Sequence, residues 1–551
     1  MKIKKIIILA LFLSLLLIGT ANAAIVKNDT NTQYSDVNQI DELNAKNDQI
    51  KIENFSSNEY KNQQDTNLIN ENEIKEKNTV LATDNINETK LIETNNQITV
   101  NDYDQLYNQI ENLKEQGTSK SYVINLNPKG NFTITDAIKL QGNNSPTKDI
   151  TLNGNGVTID GKNSKYFLTI FEGYSVTLNN LNFINNLITE NGGGAIAAHT
   201  GSELNINNCN FTGCRAFNET ESIHAGAIRM GYDAILHINN SIFRQNSASY
   251  GAGAIVIGGT LTEYNTCPHP DLDPTTITPT SFINNCQFID NTAGHGGAVN
   301  IEEYCSAIII NCTFNGNSAT DLELGLGGAI CSDIKTYTVI INNTFKDNFA
   351  KQLGGAVCTD STSCLLSVNN TFENNFAEKS GGGIYTAPKS QIKIENNIFI
   401  KNEATFGSAL CTRGRSALTV TNCIFSENNA SDLGGAISTG ENNIITINNG
   451  TFNKNQGKLG GAICLGTNSN MNIEQTTFTQ NNAENGGAIY GTKNNNIIMK
   501  NIELTNNIAT KNGGAIITGE NTALTTTNTT FTTNKANLGG AICLSTNSNM
   551  N

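Results

Sequence analysis

Apolar residues alternate with polar ones in short runs along most of the chain. Before Phe425, Phe452, Phe478 and Leu504 the pairs are Leu418 and Val420, Ile445 and Ile447, Met471 and Ile473, and Ile497 and Met499. Period two predicts strands with one face buried. The strands recur in a fixed phrase. Gly-Gly-Ala-Ile or a close variant appears thirteen times between Gly193 and Ile542, and from Ala329 onward the steps are 26 or 27 residues. LGGAICLGTNSNMN at 459–472 returns almost unchanged at 538–551 as LGGAICLSTNSNMN. The residue after the motif Ala is always Ile, Val or Leu, and its successor varies freely, so the first is predicted to point inward and the second outward. Two or three short strands per 26 residues, with Gly and Asn at the bends, predict the coils of a parallel β-helix. Each coil buries its inner face only against its neighbours.

A second phrase precedes each motif: Asn (Gln475 in one copy), two spacers, Phe (Leu504 in one copy), and usually Asn three residues on. NNTFKDN, NNTFENN and NNIFIKN are examples. Stacking predicts a column of rings through Phe314, Phe345, Phe372, Phe399, Phe425, Phe452 and Phe478. It also predicts an amide ladder through Asn342, Asn369, Asn396, Asn422 and Asn449, with Gly-Gly supplying positive φ at a corner. All of these positions read as scaffold.

Gly-Gly-Ala-Ile alternating with Phe-x-x-Asn resembles the repeat of chlamydial polymorphic outer-membrane proteins. It also resembles the adhesin-like surface proteins of methanogenic archaea, within the pectin-lyase-like superfamily of right-handed parallel β-helices. The resemblance covers about 175–551. It implies a secreted, surface-displayed protein with an attachment role, whose partner is a host or microbial surface glycan or protein, and which needs no cofactor.

The ends have different composition. A basic start, an apolar run from Ile6 to Ile18 and Ala-Asn-Ala at 21–23 read as a secretory signal peptide, 1–23, too short to span a membrane comfortably. Residues 24–97 lack Gly, Pro and Cys and are dominated by Asn, Asp, Glu, Gln and Lys, so they read as a disordered polar linker. Residues 98–175 are expected to hold a capping helix and the first coils. In the helix, Tyr103, Leu106, Tyr107, Ile110 and Leu113 share one face, Asn101 or Asp102 caps the start, and Gly117 stops it. The repeats then fill 176–551. Asn551 falls inside a coil, which predicts that the rod, and an anchor, continue in a longer gene product.

Charge and cysteine use narrow the function. A net charge of −14 with no basic tract in the mature chain argues against nucleic acid and anionic lipid as partners, and no later segment is apolar enough to insert in a membrane. The thirteen cysteines fall mostly in repeated columns, which suits packing, and none form Cys-x-x-Cys, which argues against zinc. Cys267 and Cys305, each just after a Glu-Tyr pair, are the disulfide candidates. Sequons such as those at Asn311, Asn342 and Asn449 would be occluded if the Asn ladder faced inward.

Hydrolysis or lyase chemistry on a β-helix needs carboxylates in one column of adjacent coils, with a cationic base for a lyase. The position two after Phe carries no acid in two adjacent coils, and no column offers acids together with a Lys or Arg base. The remaining irregularity is an insertion of about 17 residues at 262–280, which holds four of the seven prolines. Tyr264, His269, Asp271 and Asp273 make it a candidate binding loop. Three functions remain: adhesin, passive stalk, and carbohydrate-active enzyme.

Overall fold

A computed structural model describes residues 97–114, 121–141, 148–190, 192–218, 224–259 and 281–551. The signal peptide, the linker before Gln97 and the proline-rich insertion, with Tyr264, Cys267, His269, Asp271 and Asp273, lie outside the described residues.

The described chain is an all-β solenoid, a right-handed parallel β-helix with one short helix among the described residues. Its strands form a 27-stranded sheet, a 15-stranded sheet and a 9-stranded sheet, with a further pair of strands beyond the last. Every coil contributes one three-residue strand to the 15-stranded sheet; after Ile138–Leu140 and Leu168–Ile170 these are of the Gly-Gly-Ala-Ile type, for example Ile330–Ser332, Val357–Thr359 and Ile384–Thr386. A five-residue strand such as Gln391–Glu395 and a Phe strand such as Ile398–Ile400 follow in the largest sheet. A strand of two to five residues, such as Phe376–Ala377, then leads to the next glycine corner. Pairing is in register, Phe to Phe and Ile to Ile, from coil to coil.

Several backbone devices turn the coils, among them a positive-φ residue six after the motif Ala or Gly, as at Lys335, Thr362 and Lys389. The residue three before Phe stands at φ between +47° and +56° in all thirteen copies, and the residue two after Phe between +52° and +67°. Asn tolerates the left-handed region better than other residues with a Cβ, which explains its excess at the first bend. The two motif glycines have different jobs. The first has positive φ from Gly327 onward. The second has ordinary φ but in most coils little room: a Cβ on Gly435 would lie 1.9 Å from the carbonyl oxygen of Gly461 in the next coil, although Ser408 fills this place one coil earlier.

The rings stack as the pattern requires. From Phe183 to Phe478, successive centroids are 4.6–5.0 Å apart and the planes lie within 1–11°. All eleven rings have zero exposure. Beside them runs a continuous amide ladder, but in a different column from the one expected. It consists of the Asn three after Phe: Asn246, Asn291, Asn317, Asn348, Asn375, Asn402, Asn428, Asn455, Asn481, Asn507 and Asn534. Each Nδ2 donates to the next Oδ1 at 2.9–3.0 Å. The column three before Phe, with Asn342, Asn369, Asn396, Asn422 and Asn449, sits at the outer bend. Some of its members also bond along the rod, Asn342 to Asn311, Asn422 to Asn396 and Asn449 to Asn422. Asn311, Asn342 and Asn449 are exposed, so their sequons are not occluded. The left-handed bend turns these side chains away from the core.

The helix Tyr103–Lys114 covers the first coil. Tyr103, Leu106, Ile110 and Leu113 are buried, and Tyr103 meets Phe167 at the head of the ring column. Asp102 is the cap: its Oδ1 accepts the Gln105 N–H at 2.8 Å, while Gln105 Oε1 accepts the Asn101 N–H at 2.9 Å. The other end is held by Lys148, 1 % exposed, whose Nζ donates to the carbonyls of Leu113 and Lys114 at 3.0 Å. A cation at the last helical carbonyls is favoured there even though burial lowers its pKa.

Candidate binding surface

The inner face is explained by folding, so chemistry has to be sought in the outward columns. The column two after Phe is a left-handed bend, and its Asp290, Asp347 and Glu427 are turned out at separate coils. The 15-stranded sheet does what that column does not. Glu302, Asp333 and Asp360 follow the motif strands of three successive coils, each strand paired with the next. Arg413 holds the same place two coils further on. This corrects the expectation that no column joins acids with a cation. The sequence signal is the residue four after the motif Ala or Gly: Glu302, Asp333, Asp360, Ala387, Arg413.

The electrostatics of this column favour structure over reaction. Burial raises the Asp360 carboxyl, and its oxygen accepts the Ser361 N–H at 2.5 Å. Arg229 Nη2 lies 3.9 Å from Glu302 Oε1. Arg413 Nε donates to the Tyr385 hydroxyl at 3.1 Å and its guanidinium lies over that ring. Among the described residues no three His, Cys, Asp or Glu side chains converge where a metal ion could be held.

Cysteines divide by face. Cys209, Cys286, Cys312 and Cys423, two before Phe, point into the core and are at most 2 % exposed. Burial pushes the Cys209 thiol up to about 11 and those of Cys214 and Cys423 to about 12, so at neutral pH they stay protonated and poorly nucleophilic. Cys331, Cys358 and Cys411 follow the motif aliphatic and do point outward, yet they are buried beneath Leu326, Leu353 and Phe406 of the glycine corners. Cys305 is a buried thiol packed with the main core. Among the described residues the disulfide-bonded cysteine is Cys364. The difference is one of register: Cys364 opens its strand in the outward column, paired to Tyr337, whereas Cys305 is turned inward.

Cys364 also marks an apolar patch that the repeat does not require. In the largest sheet, Phe282, Ile308, Val339 and Leu366 are neighbours in one outward column. The same column continues as Lys393, Thr419, Thr446 and Asn472. Ile308, Ile310, Tyr337, Val339, Cys364 and Leu366 form a second cluster outside the sheet, each at most 5 % exposed. The signal was present in SAIII, YTVII and CLLSV, where alternation gives way to continuous apolar runs.

A surface cavity of about 370 Å³ lies on the 9-stranded sheet in the following coils. It is lined by Phe376, Glu378, Glu403, Ala404, Thr405, Asn429 and Ser431. Phe376, 39 % exposed, and Phe349 occupy a column that is otherwise mostly polar, with Ser318 before them and Glu403 and Asn429 after. The two rings stack at 5.8 Å. No described helix is long and apolar enough to cross a membrane, which says nothing of a β-barrel.

Comparison with known proteins agrees with the fold. Residues 275–451 match a family described as right handed beta helix region, and residues 475–492 match the Chlamydia polymorphic membrane protein repeat. No curated protein matches. Two solved chains match. One is a PL6 family alginate lyase, AlyGC, at 10 % identity over 83 % of this chain and 100 % of that one. Its TM-score of 0.20 supports neither a shared site nor a shared reaction. In its fold and in these two matches, the chain is similar to right-handed β-helix proteins that carry polymorphic membrane protein repeats.

Proposed function

We propose that this chain is the rod of a secreted, surface-displayed envelope protein that works as an adhesin, binding glycan or protein through its outer faces. The observation that carries the reading is the distribution of irregularity. Inward positions repeat from coil to coil, while several outward departures lie between Phe282 and Ser431: the apolar patch, the acid column and the cavity. Of these the cavity is open to solvent, with Phe376 39 % exposed, and a scaffold that only spaces other parts has no need of it. Fifteen coils at about 4.8 Å each make a rod of roughly 70 Å, long enough to hold such a surface clear of an envelope. The matched repeat is named for a membrane protein, which supports display at the cell surface.

A second reading, cleavage of a polysaccharide, would rest on the acid column of Glu302, Asp333 and Asp360, whose electrostatics favour structure. The matched families point instead to a non-enzymatic surface protein. Display is tested by labelling intact cells with antibody raised against the folded chain. Labelling without permeabilisation, lost on brief protease treatment of whole cells, is expected. Labelling that appears only after permeabilisation would remove the basis for an adhesin.

A further inference from the structure

We infer that the cavity around Phe376 is a subsite for an uncharged sugar ring, a deepening that rests on the adhesin reading. A monosaccharide has an apolar C–H face and a rim of hydroxyls, and a site for it needs a flat apolar surface ringed by a few polar groups. Phe376 supplies the surface in the cavity lining, and Phe349 of the preceding coil stacks on it at 5.8 Å. Neither is needed by the coil, because the same column takes Ser318, Asn429 and Gln456 in other coils. Phe376, 39 % exposed and backed by the half-buried Phe349, presents a flat apolar ring to the cavity in a column that is otherwise mostly polar.

The rim fits hydroxyls better than charge. Glu403 and the amide oxygen of Asn429 accept, the hydroxyl of Ser431 and the Asn429 amide donate, and Glu378 stands beside them. Glu378 is already neutralised by Lys351, Nζ to Oε1 2.5 Å, and its backbone carbonyl accepts from Thr405 Oγ1 at 2.8 Å. Glu403 has no such cation in the cavity lining, so a uronate or sulfated sugar would bring like charge against it in a chain that already carries −14. The site therefore selects neutral hexoses or N-acetylhexosamines over polyuronates.

The test uses the full chain, Phe376→Ala, Glu403→Gln and a distant outward control, Thr419→Ala, titrated calorimetrically with neutral tetrasaccharides of glucose, mannose, galactose and N-acetylglucosamine, and with tetragalacturonate. Binding of at least one neutral tetrasaccharide is expected, weakened tenfold or more in Phe376→Ala, threefold or more in Glu403→Gln and unchanged in Thr419→Ala. Circular dichroism of each variant separates loss of contact from loss of fold. Should Phe376→Ala misfold, Phe376→Leu, which keeps the apolar bulk but not the flat ring, carries the test and is expected to lose at least threefold. Neutral sugar bound equally by all variants would overturn the subsite and leave the adhesin reading standing. Tighter binding of tetragalacturonate would overturn the stated selectivity. No binding of any sugar would overturn the inference, and capture of a surface protein in its place would show that the adhesin reading survives it.

Discussion

The internal amide ladder gives the sharpest prediction about the fold, at Asn375. Its Nδ2 donates to the Phe345 carbonyl and to Asn402 Oδ1, both at 3.0 Å, and its Oδ1 accepts from the Asn348 N–H at 3.1 Å and Asn348 Nδ2 at 2.9 Å. Asn375→Asp has nearly the same shape but lacks the two amide hydrogens. Ionised, it would set an anionic oxygen about 3 Å from two acceptors in a dry core; protonated, it restores one of the two donors. The folded-state pKa is therefore raised above the unfolded value of about 3.9. Below that value both states are protonated, and the variant loses only about 1–2 kcal/mol for one missing hydrogen bond. Above it the unfolded chain releases the proton first, and stability falls by about 1.4 kcal/mol per pH unit. By pH 7 the additional loss is about 4 kcal/mol if the folded carboxyl remains neutral. The assay is urea unfolding of wild type and variant at pH 4 and pH 7, with hydrogen exchange over 345–402 because solenoids can open locally. A pH-independent difference of under about 1 kcal/mol would refute the claim that the ladder is buried and obligatory.

Three further outcomes follow from the same geometry. Gly435→Ala puts a Cβ against the Gly461 carbonyl and should cost about 1–3 kcal/mol or more in urea unfolding, although its φ is ordinary. Lys401→Gly should stabilise by about 1 kcal/mol, because Lys401 is held at φ +55° and contributes nothing to the core; a loss in the same assay would contradict the bend assignment. Asp360→Asn should raise stability at neutral pH. Burial raises the folded Asp360 pKa, so the wild type loses stability as pH rises from about 3.9 towards that value, and the variant's advantage should vanish below pH 3.5.

Much of this architecture was readable from the sequence because a parallel β-helix repeats its constraints once per coil. Thirteen copies made the Phe stack, the glycine corners and the strand alternation plain, and the helix face with Asp102 as cap followed from ordinary patterning. The two Asn columns were harder to tell apart, since both flank Phe at a spacing of three. One is chosen for left-handed backbone and the other for a buried amide, and composition does not separate these causes. The position two after Phe varied without pattern because only its φ matters. The acid column carries no repeat signal because it lies outside both repeated phrases, four residues beyond the motif Ala or Gly. Lys148 at the helix end and the outward apolar runs around Cys364 depend on contacts between segments far apart in sequence.

The most direct test of the functional account is to incubate the full chain with a panel of host and microbial polysaccharides, following retention and new reducing or unsaturated ends in the same tubes. The account predicts retention of at least one polymer with no new ends. New ends from any polymer, abolished together by Glu302→Gln and Asp333→Asn, would make the acid column catalytic and contradict it.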